Sequence, residues 1–292
     1  MASIQKLKKQ ILREELSYRR RRTSRRLLLA GLLLALVAGC GAVFYLWNQE
    51  RFAERRFSRA QALLVEQDYV EAARQFQRLA RLYPHASRAD EALFHVGELQ
   101  HLYLKDAERA LLAFLQLEKN YPGSPFGLAA QRYAADIYMD RLEDPGRAVA
   151  AYQKLLDQGV AEGDQVQYRI GEAYFRLNNF EQARIEWDNL LRLFPESELG
   201  AETSYRIAVS LTLQGDFKEA RQRFEELIAR WPDHLYAVEA RFGLAAVLEE
   251  QEQLVDALEM LEKLRGVYPK PEVLEQRIAQ VRERIEKKQK AI

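Results

Sequence analysis

The segment DYVEAARQFQRLARLYP, Asp68 to Pro84, decides the fold because it recurs. It returns as DAERALLAFLQLEKNYP (Asp106 to Pro122), NFEQARIEWDNLLRLFP (Asn179 to Pro195), DFKEARQRFEELIARWP (Asp216 to Pro232) and QLVDALEMLEKLRGVYP (Gln253 to Pro269). A sixth copy, DPGRAVAAYQKLL (Asp144 to Leu156), lacks the final proline and runs into Gly159 and Gly163. The closing prolines stand 38, 73, 37 and 37 residues apart, and 73 is two repeats with one proline missing. Self-similarity at a fixed period marks a repeat architecture, in which each unit buries its apolar face against the next.

Inside each copy an alanine (Ala72, Ala110, Ala148, Ala183, Ala220, Ala257) is followed four residues later by a large side chain (Phe76, Phe114, Tyr152, Trp187, Phe224, Leu261). That spacing draws the core stripe of an amphipathic helix. A first helix precedes each copy, as in YRIGEAY (Tyr168 to Tyr174) and YRIAVSL (Tyr205 to Leu211), with a small residue at Gly97, Ala135, Gly171, Ala208 or Ala245. The small side chain on the first helix lets the second approach closely. Few Pro and Gly, 8 and 14, and 48% hydrophobic with 30% charged residues suit long helices packed on one another.

At Gly171, Tyr174, Ala183, Trp187, Leu190 and Pro195 the pattern resembles the tetratricopeptide repeat, and the match runs from about Phe52 to Pro269. The aromatic-proline ends (YPHAS, YPGS, FPES, WPDH) are similar to the variety in bacterial envelope proteins, of the BamD and CpoB type. The one-residue insertions near Lys105 and Leu142 and the proline-less third repeat depart from that pattern. The resemblance implies an all-α fold: an α-solenoid of about six helix pairs over 48–270, whose concave face holds a protein or peptide. Residues 271–292 read as a charged helix that caps the open end.

Ahead of the repeats, Leu27 to Trp47 holds no charged side chain and is long enough to cross a bilayer as a helix. Residues 1–26 carry ten Lys and Arg against Glu14 and Glu15, a net of +8; the rest of the chain carries 34 basic and 41 acidic residues, a net of −7. Basic flanks stay cytoplasmic, so the expected topology is a short cytoplasmic tail, one span in a bacterial inner membrane and a periplasmic repeat domain. The arrangement is similar to YfgM-like proteins. Nucleic-acid binding by so short an arm would be weak and unspecific, and none is expected. Two other readings attach to the span. Val37, Ala38, Gly39 and Cys40 resemble a lipobox, which makes Cys40 a candidate for lipidation and the chain an outer-membrane lipoprotein acting in envelope assembly. Gly31, Ala35 and Gly39 form a small-residue ridge through which two spans could pair as a homo-oligomer.

A binding role has candidate residues. Phe57, Phe94, Arg132, Tyr168, Tyr205 and Phe242 precede the small residues by three, and Glu98, Asp136 and Glu172 follow them by one. Helical spacing puts both sets on the inner face, with Asp140, Glu249 and Glu250 extending the acidic strip. The aromatics either anchor a partner's apolar groups or pack between neighbouring first helices, and the carboxylates would attract Lys or Arg. Catalysis finds no material: the four histidines make no metal-spaced pair, the single cysteine lies in the span, and no phosphate loop or nucleophile elbow occurs. No cofactor, metal site or enzyme activity is expected; the reading is a scaffold, or alternatively a chaperone-like holdase for exported chains.

Overall fold

The computed structural model describes residues 48–290, together with 36, 37, 39–41, 43 and 44. All regular structure among these residues is helical. The basic tail, Gly31, Ala35 and most of the Leu27–Trp47 stretch lie outside the described residues. Among the described residues no helix is long and apolar enough to cross a membrane. The chain forms two compact units, Met1–Val96 and Gly97–Ile292.

In the first unit, helix α1 (48–65) turns Ala53, Phe57 and Ala60 inward at helical spacing, all within 1% of complete burial. They meet α2 (Tyr69–Leu82), where the Phe57 and Phe76 rings pack edge to face at 5.3 Å. Glu50 of α1 accepts the Ser87 backbone N–H at 3.1 Å and Arg88 lies 4.6 Å over the Phe57 ring, so the loop after α2 is tied back to α1. Helix α3 (Ala89–Glu98) opens in this unit.

The second unit opens with a π-turn (Leu99–Tyr103) and continues through α4 (Ala107–Asn120), α5 (Gly127–Asp140), α6 (Pro145–Asp157), α7 (Gly163–Arg176), α8 (Phe180–Leu193), α9 (Gly200–Gln214), α10 (Phe217–Arg230), α11 (Leu235–Glu250), α12 (Leu254–Lys263) and α13 (Pro271–Lys290). The six recurring segments are α2, α4, α6, α8, α10 and α12, each the second helix of its pair.

The small-residue positions are close approaches. A β-carbon at Gly97 would overlap the Phe114 ring, and one at Gly171 the Trp187 indole. Ala135, Ala208 and Ala245 are completely buried, as are the alanines facing them on the second helices. The closing aromatic of a repeat folds back over the start of its own first helix: Phe194 against Gly163 and Trp231 against Gly200, where an added β-carbon would lie 2.9 and 3.1 Å away. The proline that follows cannot continue the second helix, which ends there.

The turn between the paired helices has one construction. A residue in the left-handed region (Gln67, Lys105, Glu143, Asn178, Gly215 or Glu252) precedes the residue that starts the second helix. Asp68, Asp106, Asp144 and Asn179 then accept a backbone N–H three residues on, closing one orphan donor each. In four repeats the starting residue donates its N–H five residues back, as Asp68 does to Leu63 and Asn179 to Tyr174. In repeats 2 and 3 the reach is six, Asp106 to Gln100 and Asp144 to Tyr138. The single-residue insertions are absorbed as widened π-type turns at the ends of the first helices, and the second helices start unchanged.

Helix α13 buries Leu274, Ile278 and Val281 against Ala245, Leu254, Leu261 and Leu264. Glu249, 3% exposed, accepts hydrogen bonds from Arg277 at 2.7 Å and Arg284 at 3.3 Å of this helix. That carboxylate therefore does not belong to an open acidic strip, as its helical position suggested; the cap covers it.

Candidate partner-binding face

Each first helix presents the same register to its neighbour. At the position three before the small residue, Phe57 is completely buried and Phe94 and Tyr168 are 8% exposed, while Tyr205 and Phe242 are half-buried. In the second unit this position joins neighbouring repeats. Arg132 donates to Gln165 at 2.6 Å, the Tyr168 hydroxyl donates to Glu202 at 2.7 Å and Tyr205 packs on Tyr236 at 5.4 Å, whereas Phe242 stacks at 4.6 Å on Tyr268, the closing aromatic of its own repeat. Phe57, Phe94 and Tyr168 are thus packing residues rather than open anchors: the Phe57 ring is desolvated by Phe76 and His95, and Tyr168 by Trp187 and by α9 through Glu202.

The acidic residues meet arginines. Asp136 accepts the Tyr152 hydroxyl at 2.5 Å and has Arg169 at 3.6 Å. Arg169 also holds Asp140, and reaches Glu172 at 2.9 Å and the Tyr152 oxygen at 3.1 Å. Arg176 adds a second bond to Asp140 at 3.1 Å, and Arg206 lies 3.9 Å from Glu172 and 3.6 Å from Glu202. Glu98 is half-buried, and Glu250 is exposed. The expected acidic strip is therefore neutralised along α5, α7 and α9 by guanidinium groups from the same or the following first helix. The sequence carried a sign of this in the repeated Tyr-Arg-Ile at Tyr168 to Ile170 and Tyr205 to Ile207, whose arginines went unweighed.

This network holds its protons tightly. Burial pushes the Tyr168 phenol well above its ordinary value, aided by the hydrogen bond to Glu202; burial and Asp136 do the same to Tyr152. Burial opposes the charge on Arg169, but Tyr152 and Asp140 outweigh it and raise its pKa.

Between the π-turn, α5, α6 and α7 lies a cavity of about 710 Å³. His101 of the π-turn, Arg132, Asp136 and Arg141 of α5 and its end, and Gln165 and Arg169 of α7 line it. Both widened turns contribute, through His101 and Arg141. Burial holds the His101 imidazole below its ordinary value, and Arg141 and Lys105 add to this against the opposing effect of Asp136. Sequence reasoning did not single out His101 or Arg141; the insertions that place them were visible only as spacing.

Tetratricopeptide repeat models match residues 57–125, 134–198 and 200–270. No curated protein matches the chain. Among solved structures, a tetratricopeptide repeat protein from Parabacteroides merdae is similar, with a TM-score of 0.55 and 18% identity over 79% of this chain and 87% of that one. PilW, a type IV pilus biogenesis factor, has a TM-score of 0.50 and 18% identity over 77% and 97%. YrrB, described as having an unusual peptide-binding site, has a TM-score of 0.50 and 18% identity over 69% and 96%. At such identities the likeness speaks for the fold alone. With the helix pairs, the close approaches and the matched segments in agreement, the chain belongs to the tetratricopeptide repeat family.

Proposed function

We propose that the protein is a membrane-anchored scaffold that holds a segment of another cell-envelope protein against the first-helix face of its repeats. The observation that carries this reading is the cavity among the π-turn, α5 and α7: it is concave, polar and open on a face whose side chains are otherwise committed to one another. The repeat family supplies a binding scaffold, and nothing in the site calls for chemistry. Support for the anchor comes from the uncharged Leu27–Trp47 stretch and the charge asymmetry around it, which favour a cytoplasmic tail and a periplasmic repeat domain. The envelope-type aromatic-proline ends agree with that placement.

A lipoprotein acylated at Cys40 is the second reading, favoured by the Val37-Ala38-Gly39-Cys40 sequence. Mass spectrometry of the membrane-extracted protein separates the two: an intact N-terminus supports the anchor, whereas a chain beginning at an acylated Cys40 replaces it with the lipoprotein.

The scaffold reading is tested by placing a photo-crosslinking residue at exposed Gln165 in the cavity wall, with exposed Glu181 of α8 as control, and irradiating living cells. One dominant envelope adduct from position 165 alone is expected. Many unrelated adducts would replace the scaffold by a holdase, and adducts from 181 alone would remove the face from consideration.

A further inference from the structure

The charge that the cavity offers a visitor is more positive than its three arginines and two aspartates alone suggest. Its two carboxylates are occupied: Asp136 by the Tyr152 hydroxyl, and Asp140 by Arg169 and Arg176. A cationic partner would have to displace a guanidinium that already makes charge-assisted hydrogen bonds. The uncommitted groups are donors. The exposed Arg141 guanidinium makes no ion pair or side-chain hydrogen bond among the described residues, and neither His101 nitrogen has a hydrogen-bond partner among them. Arg132 spends one nitrogen on Gln165 and keeps only a long contact, 3.6 Å, to exposed Glu162.

We propose that this cavity receives carboxylate side chains from an acidic segment of the partner, gripped by Arg141 and Arg132 with His101 as a third donor. The inference rests on the first-helix face being the partner surface. The recess strengthens such contacts by removing them from bulk water. The donors are spread over the π-turn, the body of α5 and its end, so they meet side chains along a segment rather than a single chain terminus. Arg169 is a positioning residue: by holding Asp136 and Asp140 it keeps those carboxylates from pairing with Arg141 and Arg132.

The test uses the full-length protein in detergent micelles and a fluorescent peptide of alternating Gly and Glu, acetylated and amidated, with Gln and Lys counterparts. A further Gln peptide with a free terminal carboxylate separates chain-end from side-chain recognition. The Glu peptide is expected to bind, to weaken about tenfold in Arg141→Gln and again in Arg132→Gln, and to lose affinity as salt rises. Because Arg141 is exposed and unbonded through its side chain, Arg141→Gln should fold as the parent does, which circular dichroism checks. Equal binding of the Gln peptide, tighter binding of the Lys peptide, binding governed by the free terminus, or an Arg141→Gln protein that binds like the parent would overturn the proposal. The crosslinking result at Gln165 keeps the two readings apart. An adduct there without Glu-peptide binding removes the acidic ligand and leaves the scaffold, whereas neither adduct nor binding removes both.

Discussion

Trp187 lies so close over Gly171 that its indole occupies the space a β-carbon would need, and its Nε1–H reaches the Tyr168 carbonyl oxygen at 3.3 Å. The pair joins α7 to α8 at the centre of the second unit, and Trp187 is completely buried. Gly171→Ala is therefore expected to destabilise the protein by about 2–3 kcal/mol, since the indole can move only by disturbing the packed helices around it. Urea unfolding of Gly171→Ala, Trp187→Phe and the double variant forms a cycle. A double variant less unstable than the sum of the singles is the expected result, and strict additivity would mean that the two residues do not clash.

Glu249 is the hinge of the cap. Truncation to Ala leaves Arg277 and Arg284 without their shared acceptor, and a cost of about 1–3 kcal/mol is expected, moderated because both arginines are partly exposed. Amide exchange should quicken along α13 and leave α7 and α8 unchanged. Uniform quickening throughout would show that the cap is coupled to the whole unit.

Alkaline pH should loosen the stitches within and between repeats. Burial, with Glu202, pushes the Tyr236 phenol up to about 12, and burial, with Glu239, does the same to Tyr268; Tyr168 is raised in the same direction. The folded chain keeps protons that the unfolded chain releases from about pH 10, so this stability is complete below about pH 10 and is lost as pH rises through about 12. Absorbance at 295 nm should show these phenols titrating late, together with unfolding; ionisation of all tyrosines near pH 10 with the fold intact would contradict the assignment.

His101 titrates in the opposite sense. Its lowered pKa favours the neutral ring in the folded state, so the associated stability is present above the ordinary value of 6.5 and falls away as pH drops below it. An NMR titration should give a midpoint below 6.5, and Arg141→Gln should move it upward by removing a neighbouring cation. No movement would mean that Arg141 contributes nothing to the lowering, leaving burial and Lys105.

Much of this fold could be read from residues whose partners lie within one repeat. Ala183, Trp187 and Gly171 reveal the helix pair because a 3.6-residue period and a small-for-large exchange leave a trace in any one copy. What joins different repeats left only a faint one, the recurring Tyr-Arg-Ile. Tyr168 needs Glu202, and Arg169 needs Asp140, some thirty residues away, and such pairings depend on the register of neighbouring first helices rather than on local spacing. Hence the aromatic line was legible as one that either packs or anchors, but which of its members are buried was not: Phe57, Phe94 and Tyr168 are, whereas Tyr205 and Phe242 are only half-buried. The carboxylates were legible as acids but not as acids already answered by arginine. His101 and Arg141 were hidden further, since a one-residue insertion in the sequence does not say which turn will widen to take it.

Those widened turns bear on how such a protein changes over generations. Because the left-handed residue and the start of the second helix stay as they are whether the preceding bond spans five residues or six, one repeat can gain a residue without shifting its successors out of phase. The added length emerges at the end of a first helix, as it does beside His101 and Arg141. A single repeat can thus change length at the edge of the cavity while the paired helices on either side keep their close approaches.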